Sequence, residues 1–160
     1  MSENTFSAEL RELYDGELLG EAFFESLLQF YEDRTQKRKL YIALQLESET
    51  KTRLRPFLLD AGLELNDNGE ARKTGYDLAQ SFKGKSWEDA MNMLLQILQP
   101  AVERYRQILA KSPSRHRELA ASMLEHEEAL FTFVELEIAG KGTESTRAMS
   151  SQLTFEIPMP

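Results

Sequence analysis

The chain has 160 residues, 41% of them hydrophobic, with a formal net charge of −8, and it contains no cysteine. That length is enough for one domain with a real core. The acidic balance argues against nucleic acid and anionic membrane surfaces, and the missing thiols exclude disulfides, thiolate catalysis, zinc–thiolate sites and iron–sulfur clusters.

Leu, Glu and Ala are the most abundant residues, and Pro and Gly are few, a composition that favours helix. The segment from Met1 to Glu9 is polar and acidic with no apolar run, so no signal peptide is expected there. No stretch of about eighteen apolar residues is present, so no membrane span is expected, and a cytoplasmic location is the default.

The first helix should begin near Ser7, whose hydroxyl can cap it, and continue to Glu32 or Asp33. Its seam reads Leu10, Tyr14, Glu17, Glu21, Phe24, Leu28, Tyr31 in alternating steps of four and three. Leu18, Leu19, Ala22, Phe23, Leu27 and Phe30 make it apolar well beyond one stripe. Such a helix is covered on more than one face, either as the central helix of a monomer or at a dimer contact.

After a short polar link, Asp33 to Gln36, a second helix should run antiparallel to the first from Lys37 to Ala61 and stop at Gly62. Its seam reads Leu40, Leu44, Glu47, Lys51, Leu54, Leu58, with Glu47 and Lys51 spaced as an i,i+4 pair. Pro56 implies a kink or an earlier end. Residues 63–86 form a long connection, with a loop at Asn66 to Gly69 and a short helix over Ala71 to Phe82. It either crosses over a bundle or returns as a hairpin.

A third long helix is capped by Ser86 and reaches Lys111, with the seam Trp87, Met91, Leu94, Leu98, Ala101, Tyr105, Ile108. Pro100 should bend it, and Glu103 should face solvent. A fourth starts after Ser112-Pro113-Ser114 and reaches Ala139 before Gly140. Its seam is Ala120, Met123, Glu127, Leu130, Val134, with Leu124, Phe131 and Ile138 alongside and His126 at the edge. Beyond Gly140 a linker-like stretch precedes Gln152 to Pro160, where Leu153, Phe155 and Ile157 alternate with polar residues. That tail should be disordered or an extended arm. The expected organisation is a bundle domain over residues 1–140 and an extended tail over 141–160.

Glu17, Glu21, Glu47, Lys51 and Glu127 therefore fall near the midpoints of their helices, with His126 close by and Tyr105 as the remaining buried polar group. Helix midpoints meet at one level in a bundle, and several carboxylates in a dry layer need a metal ion, raised pKa values or water. Oxygen ligands with one imidazole suit iron or manganese. In the bland alternative, Glu21 or Glu127 reaches the surface and Glu47 and Lys51 make an ordinary ion pair. Lys51 reads as a charge partner for Glu47 and Glu17 rather than a nucleophile, His126 as a boundary residue or a ligand, and His116 as a surface residue.

The motifs Gly-Glu-Leu-Leu-Gly-Glu in the first helix, Leu-Glu-Ser-Glu-Thr in the second and Leu-Glu-His-Glu-Glu in the fourth give a pattern that resembles the ferritin-like superfamily. The resemblance covers residues 7–139 and implies an all-α, ferritin-like four-helix bundle. It implies a metal site in which Glu17 or Glu21 matches the first ligand and Glu47 the second. Thr50 and Leu130 stand where that family places histidines, which implies a mononuclear, degenerate or metal-free site in place of a di-iron centre. Two functions are expected. One is metal-assisted redox chemistry on a small molecule held between Phe24, Leu98 and Tyr105. The other is a non-enzymatic helical module that associates, most simply as a homodimer, through the first helix and the tail around Phe155.

Overall fold

The computed structural model describes residues 3–158, so the outermost two residues at each end of the segments read above lie outside it. Among the described residues there are six α-helices, one short 3-10 turn and no strand, so the fold is all-α. The helices are α1 (Glu3–Leu27), α2 (Arg34–Asp60), α3 (Gly69–Gln80), α4 (Trp87–Lys111), α5 (Arg117–Ile138) and α6 (Arg147–Ser150). The chain divides into two compact units, one ending at Gly84 and carrying α1–α3, the other beginning at Lys85 and carrying α4–α6.

In the first unit α1 packs against both α2 and α3. This accounts for its broad apolar coat: Leu10, Leu13, Tyr14, Leu18, Ala22, Phe23, Phe24 and Leu27 are all buried. The helix starts earlier than the Ser7 cap signal suggested, because Phe6, 1% exposed, extends the apolar face one turn upstream. It also stops earlier than expected. The last turn tightens through Gln29 N–H to Ser26 O and Phe30 N–H to Leu27 O. Asp33 then takes an extended conformation and caps α2, its carboxylate accepting from the Gln36 amide at 2.9 Å. A residue cannot be helical and serve that cap at once, so the chain leaves the helix first.

α2 continues past Pro56 to Asp60, which rules out an end at the proline. Gly62, at φ 70°, then closes it: the Leu63 amide returns to Leu58 O at 2.9 Å and the Gly62 amide to Leu59 O at 3.0 Å. The connection after it is more than a link. Asn68 caps α3 by accepting from the Glu70 and Ala71 amides, and α3 lies against α1 at a contact built on Gly75. A Cβ at Gly75 would stand 2.2 Å from the Leu19 carbonyl oxygen, so only glycine permits this approach. Phe82 follows α3 into the core and meets the Phe23 ring edge-on, centroids 5.0 Å apart.

In the second unit α4 starts at the Ser86 cap as the sequence implied, with the Ser86 hydroxyl accepting from the Asp89 amide. Met91, Leu94, Leu98 and Ile108 of its seam are buried, Val102 beside the seam is buried where Ala101 and Tyr105 are half-buried, and Glu103 is exposed as expected. A 3-10 turn, Ser114–His116, precedes α5, so the helix itself begins later than the proline suggested. His116 is half-buried rather than a surface residue. Trp87 packs edge-on against Phe133 and donates to the Glu137 carboxylate at 2.7 Å, pairing the start of α4 with the end of α5. The linker-like stretch after Gly140 is made of turns and a short helix. It turns back into α6, burying Ser145 and Met149, and Gln152 donates to the Glu125 carbonyl at 2.9 Å. Phe155 is 70% exposed.

Candidate functional site

Glu17, Glu21 and Glu47 all fall in the first unit, on α1 and α2. The short link makes these helices antiparallel neighbours, so positions near their midpoints face one another. Glu17 is 1% and Glu47 4% exposed, and their carboxylates come within 4.8 Å of each other. Two carboxylates that close can present oxygens to one shared ion. The pair is thus where the first unit can hold a cation.

Glu21, one turn beyond Glu17, has a different environment. Its carboxylate accepts from Ser48 at 2.6 Å, from Lys51 at 2.6 Å and from Arg72 at 2.9 Å. Burial pushes its pKa up, but hydrogen bonds from Lys51, Ser48 and Arg72, with the Lys51 charge, outweigh that and hold it below the usual carboxylate range. Lys51, read from the sequence as the partner of Glu47 and Glu17, reaches across to Glu21 on the neighbouring helix. Arg72 extends the network along α1 to Glu25 at 3.4 Å and to the Tyr76 hydroxyl at 3.2 Å. Three donors thus engage Glu21.

No family model, curated protein or solved structure matches the chain. Function must therefore be argued from these side chains.

His126 and Glu127 belong to the second unit, on α5, at 1% and 6% exposure. His126 was placed at the edge of the apolar arc and is fully buried, as is Glu127 near the arc's centre. Tyr105, expected to be buried, is half-buried. Thr50 is buried and receives a long contact from Arg53 at 3.4 Å. Leu130 on α5 is also buried. A carboxylate pair fits a single hard or borderline cation.

The sequence reading missed Ser48, Arg72 and Gly20. Ser48 is adjacent to Glu47 but was not assigned a role, and Arg72 lay in a segment read as a connection. Gly20 is in the interior of α1, where glycine is a poor helix former, and an ideal Cβ there would lie 2.5 Å from the Glu47 carboxyl carbon.

Proposed function

We propose that this chain is a ferritin-like protein with a divergent carboxylate site that holds one cation, iron(II) or manganese(II), between Glu17 and Glu47. The observation that carries the reading is the burial of these two carboxylates within 4.8 Å of one another on adjacent helices. Oxygen donors of this kind suit hard and borderline ions. When bound, such an ion supplies Lewis-acid or one-electron chemistry to a small molecule. Glu17 and Glu47 bind it, and Lys51 and Arg72 hold Glu21 ionised beside them.

The deciding experiment is elemental analysis of protein purified without chelator, repeated after incubation with iron(II) or manganese(II) and desalting. A stoichiometric ion that Glu47→Ala abolishes is the expected result. Absence of metal under all conditions, with unchanged or improved stability in Glu47→Ala, overturns the reading, since a buried charge cluster is often less stable than its apolar replacement.

A second reading, an association module, is favoured by the exposure of Phe155 on the C-terminal segment. It expects a homodimer that dissociates when residues 141–160 are deleted. Light scattering that reports a monomer with and without the segment ends it.

A further inference from the structure

We propose that Gly20 is the positioning residue of the cation site: its missing side chain leaves the space in which the Glu47 carboxylate lies against α1. This inference rests on the reading of Glu17 and Glu47 as ligands. A Cβ built on Gly20 would fall 2.5 Å from the Glu47 carboxyl carbon and 2.6 Å from each of its two oxygens. Near-equal distances to all three atoms place that Cβ over the flat face of the carboxylate. The carboxylate therefore lies face-on against the helix where a methyl group would stand, with its two oxygens equally close to that point.

The two close-packed glycines of this unit differ in a way that separates packing from positioning. At Gly75 the obstacle is backbone, the Leu19 carbonyl at 2.2 Å, which cannot move without separating α3 from α1. At Gly20 the obstacle is the far end of a flexible side chain, so a methyl group is accommodated when Glu47 swings aside. Glycine is among the poorest helix formers, and α1 has no turn or positive φ at position 20 that requires one. Packing of the backbone does not demand glycine there; the location of the Glu47 carboxylate does.

A methyl group at position 20 therefore costs the helix nothing and displaces one ligand. The test titrates manganese(II) into wild type, Gly20→Ala, Glu47→Ala and the double variant Gly20→Ala/Glu47→Asp by calorimetry, with melting temperatures measured alongside. Gly20→Ala is expected to melt at or above wild type yet bind roughly 10- to 100-fold more weakly, the range seen when groups that orient a ligand are lost. The double variant recovers part of that loss, because aspartate is one methylene shorter and withdraws from the added methyl. Gly20→Ala binding like wild type overturns the inference, while Glu47→Ala binding like wild type overturns the functional reading itself.

Should wild type bind no manganese(II), the functional reading falls alone and stability decides the positioning role. Gly20→Ala must then raise the melting temperature more in the Glu47→Ala background, where the space is empty, than in wild type. Equal effects in both backgrounds overturn the inference.

Discussion

Lys51 on α2 donates to the Glu21 carboxylate on α1 across 2.6 Å, and neither side chain is more than 15% exposed. The same carboxylate accepts from Ser48 on α2 and from Arg72 on α3, so one acid ties together all three helices of the first unit. Charge-assisted hydrogen bonds of this kind are the strong ones, and partial burial lessens the screening that weakens surface pairs.

The first prediction is acid sensitivity centred on Glu21. Its carboxyl is held below the ordinary range in the folded chain, so the folded state takes up that proton less readily than the unfolded one. The stabilisation is fully present above the unfolded pKa of about 4.3 and is lost as pH falls through the lowered folded value. Urea midpoints measured from neutral pH down to strong acid should fall below that point in wild type, and Glu21→Gln should remove part of the slope. Parallel pH profiles for the two proteins would refute the assignment.

A double-mutant cycle isolates the Lys51–Glu21 pair. Lys51→Met and Glu21→Gln should each cost about 1–3 kcal/mol, because each leaves a charged group without one of its strong partners. The double variant should cost less than the sum, with a coupling of about 0.5–3 kcal/mol. Additive losses would show that Arg72 and Ser48 carry the network without Lys51.

Much of this was legible in the sequence, for reasons particular residues make plain. The seam of α2 placed Glu47 and Lys51 in the interior because helical periodicity reports burial, and both are buried. Ser86 announced the start of α4 because a cap is a local interaction, formed within three residues. The contact of Lys51 with Glu21 was not legible. Spacing along one helix pointed to Glu47, and the choice of Glu21 depends on how far α1 slides along α2, which no local pattern encodes. The packing role of α3 was hidden for the same reason. Gly75 is informative only once Leu19 is known to lie opposite it. The buried anchor Met149 was also not legible, because it lies in a short helix beyond a stretch whose Gly, Lys, Thr and Ser read as linker.

The second unit offers a direct optical test. Trp87 is the one tryptophan in the sequence, and its indole N–H donates to Glu137 at 2.7 Å, a carboxylate that also accepts from the Ser145 hydroxyl. Glu137→Leu removes the acceptor for both donors and should cost about 1–3 kcal/mol while shifting the Trp87 emission. Unchanged emission and stability would mean that the edge-on contact with Phe133 alone fixes the indole.

Gly75→Ala should behave in the opposite sense to Gly20→Ala, although both replace a helical glycine with a better helix former. Taken alone, the substitution favours the helix by about 1 kcal/mol. At position 75 the new methyl would stand 2.2 Å from the Leu19 carbonyl oxygen and 3.0 Å from the Ala22 methyl, so α3 must move off α1. Overpacking of this kind costs about 1–3 kcal/mol, which exceeds the helical gain. Moving α3 also strains the Arg72 contacts with Glu21 and Glu25, adding to the loss. Chemical denaturation should therefore give a lower midpoint for Gly75→Ala, and limited proteolysis should cut first within residues 63–86. A midpoint at or above wild type would mean that α3 does not need this close approach, and the packing role assigned to Gly75 would be wrong.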